Sequence, residues 1–265
     1  MRLCVATTLV AACLILRAFV ARAEQSPAPG NPSLSQASSG AAGSPPDSSA
    51  AAAGVDFPVT LGSFATTLLG SSPARTQNIR LAVAALDGAI LEPGAELSFN
   101  QRVGPRSLEL GYQMAPVILR EERQLQLGGG ICQAASTLFS AALIAGLTPV
   151  ERTRHSSPVD YIAPGEDATI AWGYKDLKVR NDSEQTLRMR VSIVGTTLLV
   201  KFEGQHSNER SFELVTEARD IPASTDANLP GREVELYRVH SLGGQEVERE
   251  FVHRDLYPSA RRKSR

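Results

Sequence analysis

The feature that most constrains the fold is a change of hydrophobic period in the middle of the chain. Over residues 133–145 small and apolar residues follow helical spacing, and Gly146 and Pro149 are expected to end the helix. Beyond it, apolar and polar residues alternate, most clearly over 187–193. A helix followed by a run of strands is typical of α+β proteins. We therefore predict an α+β fold in which this helix packs on an antiparallel sheet.

Other elements are predicted on both sides of this helix. The spacing predicts a helix over 77–86, and short strands over 114–119, 150–153, 168–172, 177–180 and 198–202. Residues 205–230 are polar and predict loops. Two further apolar-rich segments, 233–239 and 246–252, flank the turn residues 242–245, which predicts a C-terminal β-hairpin.

The N-terminus predicts an exported protein. Arg2 precedes an apolar run over 3–20, and Ala21-Arg22-Ala23 is typical of a cleavage site, so residues 1–23 are interpreted as a signal peptide. Two alternatives are lipidation at Cys13 and retention of the run as an uncleaved anchor. Membrane contact is expected only through one of these two anchors. The expected location is periplasmic or extracellular, at the cell envelope.

Residues 24–54 consist largely of Ser, Ala, Gly and Pro, so they cannot bury enough apolar surface to offset their ordering entropy. We interpret them as a disordered linker, followed by a folded domain over 55–204. Residues 205–265 are then an extension that holds the hairpin and a basic tail. The formal net charge of −1 gives no indication of a nucleic-acid partner.

Cys132 is the only cysteine outside the predicted signal, so the mature protein would have no internal disulfide. A helix starting beside it would direct backbone N–H groups and a positive dipole end at the sulfur, which favours a thiolate nucleophile. Gly128, Gly129 and Gly130 allow close backbone approach. The Gln133 amide and nearby N–H groups could stabilise an oxyanion. The alternative is that Cys132 packs as a small apolar residue and Gln133 only caps the helix.

A nucleophilic cysteine needs a base, and His155 follows it by 155 − 132 = 23 residues. An acidic residue could orient the imidazole. Asp176 is the first candidate and Asp167 the second, with Glu151 also considered. The cysteine and histidine spacing does not match a metal site, and the sequence contains no phosphate-binding or dinucleotide motif, so neither a metal nor a cofactor is expected.

Several long motifs resemble the VanW family, which takes its name from accessory genes of vancomycin-resistance clusters. They are LSFNQRVGPRS, GYQMAPVI, GGGICQAASTLFSAALIAGL, VERTRHSSPVDY and GEDATIAWGYKDLKVRN, spread over about 61–202. The resemblance implies the bacterial envelope, with peptidoglycan or its peptide stems as ligand. The order of cysteine helix, histidine and aspartate is also similar to transglutaminase-like, papain-type folds.

Three functions are compatible with these observations. The first is a non-catalytic module that binds or scaffolds cell-wall peptide or glycan, using the Gly128–Gly130 turn, Arg106, Tyr112 and Arg154. The second is a cysteine acyl-transferase or amidase acting on cell-wall peptides, with Cys132 as nucleophile, His155 as base and Asp176 or Asp167 as orienter. The third is a redox or assembly role in which Cys132 pairs with another chain.

Overall fold

The computed structural model describes residues 55–119, 122–222 and 231–257. The predicted signal peptide, linker and basic tail therefore lie outside the described residues. The elements follow one another in the order β1 (Val59–Thr67), α1 (Pro73–Leu86), β2 (Ile90–Leu91), β3 (Glu96–Ser98), α2 (Phe99–Val103), β4 (Met114–Leu119), β5 (Glu122–Leu127), α3 (Ile131–Ile144), β6 (Thr148–Glu151), β7 (Lys178–Arg180), β8 (Leu187–Val194), β9 (Thr197–Gly204), β10 (Arg210–Ile221), β11 (Gly231–Leu242) and β12 (Gln245–Tyr257).

The described part of the chain forms antiparallel sheets around a shared apolar core. The largest has the strand order β1-β9-β8-β2. Leu187, Met189 and Val191 of β8 are buried, whereas the residues between them are not, as the two-residue period predicts. The prediction of a mixed, mainly antiparallel α+β protein is confirmed.

Helix α3 lies against β1 and β9 of this sheet and is buried along nearly its whole length. A helix that is apolar or small on all sides belongs in a core rather than at a surface. Its hydroxyl groups are hydrogen-bonded: Thr137, for example, donates to the Gln133 carbonyl at 2.7 Å, and Ser140 donates to the Glu166 carboxylate at 3.3 Å. Gly62 in β1 permits this packing, since a Cβ there would lie 2.3 Å from the backbone nitrogen of Ala145.

Two small sheets lie next to α3 along the chain, since β5 precedes the helix and β6 follows it. One has the order β3-β7-β6, and the other is the β4-β5 hairpin. The remaining sheet has the strand order β10-β11-β12, and its strand β10 packs on α3. Phe212 lies against Gly146, and Arg238 donates to the Leu147 carbonyl at 2.8 Å. The C-terminal strands therefore belong to the same packed body as the helix.

The predicted elements differ from the structure in several places. Residues 205–230, predicted as loops, contain the long strand β10, which gains its backbone hydrogen bonds from β11 although most of its side chains are exposed. Residues 168–172 form no strand, because Ala168 N donates to the Ser136 hydroxyl and Thr169 N to the Thr153 carbonyl. The strands β1, β2 and β5 and the short helix α2 were not predicted. Over the described residues, no helix is both long and apolar enough to cross a bilayer.

Candidate active site

Cys132 is the second residue of α3, at the end of the Gly128–Gly130 turn. Gly130 precedes the helix with φ of 107°, a left-handed conformation that glycine adopts without strain, and no side chain caps the helix. The Cys132 side chain is partly accessible, and its Sγ atom lies 3.7 Å from the Ile170 carbonyl oxygen. The thiol therefore lies in the first helical turn, where the dipole favours its anionic form.

His155 and Asp167 form a buried pair beside this thiol. The Nδ1 atom of His155 lies 2.6 Å from Oδ2 of Asp167, and the same oxygen accepts the His155 backbone N–H at 2.7 Å. The charged form of the imidazole also lowers the pKa of the Cys132 thiol, and the thiolate in turn raises the pKa of His155, so the two side chains lie close together. The structure thus brings Cys132, His155 and Asp167 into one chain of contacts.

Each of these three groups shifts the pKa of its neighbour toward the charged form. Burial raises the pKa of the Cys132 thiol, but the effects of His155, the Ile170 backbone and Arg106 together outweigh it, so that the pKa is lowered. Burial lowers the pKa of His155, yet Asp167 and Cys132 raise it to about 9. Against burial, His155 and Arg152 lower the pKa of Asp167 to about 2. These directions favour a thiolate–imidazolium pair at neutral pH.

Asp176 does not contact His155. Its carboxylate accepts the backbone N–H groups of Asn100 and Leu177, both at 2.8 Å, and the Ser98 hydroxyl at 2.5 Å. It therefore stabilises the start of α2 and of β7. Glu151 is also used elsewhere, since it pairs with Lys178 at 2.7 Å. The residue that contacts the imidazole is Asp167, the second of the two predicted candidates.

Gln133 points away from Cys132 into the protein interior. Its Oε1 atom accepts from Arg75 at 2.7 Å, and its Nε2 atom donates to the Thr66 hydroxyl at 3.0 Å and the Thr67 carbonyl at 2.9 Å. The amide thus connects α3 to β1 and α1. All of its polar atoms are occupied, so Gln133 cannot serve as the oxyanion donor in this arrangement.

The glycines of the turn are required by internal packing. A Cβ on Gly129 would lie 2.4 Å from the Ala115 carbonyl oxygen of β4, and a Cβ on Gly130 would lie 2.8 Å from the Arg75 side chain. Gly128 has φ of 78° and contacts Arg106. The close backbone approach that we expected for a ligand is therefore made by β4 and α1.

Of the predicted polar contact residues, Arg106 acts on the thiol through its charge. Its guanidinium packs over the Trp172 and Phe99 rings and donates to the Asn100 side chain at 2.8 Å. Its positive charge helps to lower the pKa of Cys132. Tyr112, by contrast, is buried in the core, with 4% of its surface exposed.

Arg154 donates to the His155 carbonyl at 2.6 Å and packs over the Tyr257 ring. It therefore supports the backbone around the imidazole. Over the described residues, no cluster of three or more histidine, cysteine or acidic side chains could hold a metal ion.

Other residues of the site were not predicted from the sequence. The Tyr161 ring meets the His155 ring edge-on, with centroids 6.4 Å apart, and its buried hydroxyl has no hydrogen-bond partner among the residues that the structure describes. Ser136 lies next to the Tyr161 hydroxyl and forms hydrogen bonds with the backbone of Cys132 and Ala168. Tyr161 follows His155 by only six residues, but nothing in the sequence indicates that the loop turns its ring back toward the site.

Comparisons with known proteins agree with the sequence motifs. Residues 74–203 match the family model described as VanW like protein. The chain is 39% identical over 168 residues to the uncharacterized protein YoaR of Bacillus subtilis (strain 168), covering 63% of this chain and 55% of that protein. It is 32% identical over 121 residues to the vancomycin B-type resistance protein VanW of Enterococcus faecalis (strain ATCC 700802 / V583), covering 44% of each. The chain spans about half the length of these relatives. No solved structure matches it.

Proposed function

Since this chain belongs to the VanW family through residues 74–203, we propose that it is an exported, cysteine-dependent acyl-transferase or amidase acting on cell-wall peptides. The observation that carries the proposal is the contact series Cys132–His155–Asp167. A thiolate in the first turn of a helix, an imidazole beside it and a buried carboxylate behind the imidazole are the parts of a cysteine acyl-transfer site.

In the proposed reaction, the Cys132 thiolate attacks the carbonyl carbon of a peptide amide. The carbonyl π electrons move to oxygen, and the resulting oxyanion is stabilised by the N-terminal end of α3 and the Tyr161 hydroxyl. When the intermediate collapses, the carbon–nitrogen bond breaks and the His155 imidazolium gives its proton to the leaving amine. A thioester between Cys132 and the acyl group remains.

An amine or a water molecule then attacks the thioester, and neutral His155 takes the proton of the attacking group. Collapse expels the Cys132 thiolate and restores the ion pair. An amine acceptor gives acyl transfer and water gives hydrolysis. Asp167 keeps Nδ1 protonated throughout, so that Nε2 exchanges the proton. The order of cysteine, histidine and aspartate along the chain is the basis for comparing this site with transglutaminase-like folds.

The cell-wall substrate is proposed from the relatives. One is named as a vancomycin resistance protein, and vancomycin resistance concerns the bacterial wall. A peptidoglycan-related peptide and an envelope location, periplasmic or extracellular, are consistent with that name and with the predicted signal peptide.

A second candidate is the non-catalytic module that binds or scaffolds cell-wall material. It is favoured by Trp172 and Tyr174, which are 44% and 90% exposed on a tight turn that begins just after Ile170. Exposed aromatic rings can stack on the apolar faces of sugars. In this function Cys132 would be dispensable, which separates it from the enzymatic proposal.

The first test is the rate at which a neutral alkylating reagent modifies Cys132 as a function of pH. The full chain is used, and the peptide containing Cys132 is quantified by mass spectrometry, so that Cys4 and Cys13 do not contribute. We expect a midpoint well below the ordinary thiol value of about 8.5. His155→Ala should raise that midpoint, whereas His206→Ala, at an exposed position, should leave it unchanged.

An ordinary midpoint that is indifferent to His155 would contradict the catalytic proposal. If the midpoint is low, incubation with defined wall stem peptides should give a Cys132 adduct in an intact-mass spectrum, and Cys132→Ser should lack the thioester. Wall binding that Cys132→Ser retains, with no adduct on the unmodified protein, would favour the binding module instead.

A further inference from the structure

We propose that Tyr257, at the end of β12, is a positioning residue for Asp167, and that the C-terminal hairpin is therefore part of the catalytic machinery. This inference rests on the proposed function of the Cys132–His155–Asp167 site. It adds a component from outside the family match, which ends at residue 203, whereas β12 spans Gln245–Tyr257.

The Tyr257 hydroxyl makes a direct contact with the carboxylate that orients His155. It donates to Oδ1 of Asp167 at 2.9 Å, and it accepts the Gly165 backbone N–H at 3.2 Å. The Tyr257 side chain is buried, with 2% of its surface exposed. The hydroxyl therefore fixes both the carboxylate and the backbone of the loop that carries it.

A second connection reaches the same oxygen through Arg152. The guanidinium lies 3.1 Å from Oδ1 of Asp167 and 2.7 Å from Oδ1 of Asp255 in β12. Its Nε atom also donates to the Asp167 backbone carbonyl at 2.6 Å. All three side chains are nearly excluded from solvent, so these interactions are little screened. Arg152 thus joins the Asp167 loop to the hairpin.

The two oxygen atoms of the Asp167 carboxylate have different partners. Oδ1 is held by Tyr257 and Arg152, and Oδ2 faces the backbone nitrogen and Nδ1 of His155. Asp167 lies in a segment without a strand ladder, so its neighbours along the chain do not determine this orientation. The hairpin provides that restraint, with a further contact from His253 to the Gly165 carbonyl at 2.9 Å.

The test compares Tyr257→Phe with the matched control Tyr237→Phe. Tyr237 lies in the neighbouring strand β11, and its hydroxyl donates to Glu235, away from the site. Each full-length variant is examined for its thermal midpoint, for the pH midpoint of Cys132 alkylation, and for the His155 titration by NMR. The last two measurements report on the ion pair, which a purely structural loss of packing would not shift in a folded protein.

We expect Tyr257→Phe to raise the alkylation midpoint by about half a pH unit to one unit, and to lower the His155 titration midpoint by a similar amount. Tyr237→Phe should change neither. If Tyr257→Phe stays folded and both midpoints are unchanged, or move the opposite way, the positioning role is wrong. That failure differs from failure of the proposed function, in which the unaltered protein would already lack a His155-dependent midpoint.

Discussion

The Nδ1 atom of His155 lies 2.6 Å from the Oδ2 atom of Asp167, with both side chains almost completely buried. A carboxylate so close to Nδ1 fixes the imidazole tautomer and stabilises its charged form. This contact turns a cysteine at a helix start into a candidate nucleophile with a complete supporting arrangement. It also distinguishes the two aspartates that the sequence left as alternatives.

Replacing each aspartate should therefore have a different effect. Asp167→Asn removes the negative charge beside His155, so we expect the pH midpoint of Cys132 alkylation to rise by about one to two units. Asp176→Asn should leave that midpoint unchanged but lower the free energy of unfolding by about 1–3 kcal/mol, because it weakens the contacts to Ser98, Asn100 and Leu177. Alkylation profiles and denaturant titrations of both variants check this. If Asp176→Asn raised the alkylation midpoint and Asp167→Asn left it unchanged, the proposed site would be wrong.

Gln133→Ala should destabilise the protein without changing the thiol. The substitution removes the three hydrogen bonds that tie α3 to Arg75, Thr66 and Thr67, so we expect a loss of about 2–3 kcal/mol in the free energy of unfolding. Gln101→Ala, at an exposed position in α2, is the matched control and should be nearly neutral. A large rise of the Cys132 midpoint in Gln133→Ala would instead support a role for the amide at the sulfur.

The stability of the protein should depend on pH through Asp167. Its pKa falls to about 2 in the folded protein, against about 3.9 in an unfolded chain. A lowered pKa stabilises the fold above pH ~4, and this contribution, about 2 kcal/mol, is lost as the pH falls from about 4 to about 2. We expect the free energies of unfolding of the natural protein and Asp167→Asn to converge over that interval. A difference that stays constant from pH 7 to pH 2 would show that ionisation of Asp167 contributes nothing.

Gly129→Ala should be more costly than a glycine substitution at an open position. Its new Cβ would lie 2.4 Å from a backbone oxygen of β4, which cannot move without displacing the strand. We expect a loss of about 2–3 kcal/mol. Gly173→Ala, where φ is 79° and no atom lies within 4 Å of the new Cβ, should cost only about 1 kcal/mol of backbone strain. Thermal or denaturant unfolding of the two variants compares these effects, and equal losses would exclude the packing explanation.

Much of the fold follows from local patterns. The small, apolar stretch of α3 and the alternation in β8 are visible in the sequence because burial selects side chains at the period of each element. Strand β10 is different: its mostly exposed side chains carry little periodic signal, and it exists because β11 supplies its hydrogen bonds. Residues 168–172 show the opposite case, where alternation is present but Ser136 and Thr153 take the backbone N–H groups.

The sequence by itself determined the helix start that carries Cys132 and the position of His155 after it, because glycine, helix and strand signals act over short distances. Only the tertiary structure decided between Asp167 and Asp176, and turned Gln133 into the interior. It also brought Tyr257 to Asp167 across 90 residues of chain. The orientation of a buried carboxylate depends on donors from distant segments, and a single sequence does not specify which segments meet.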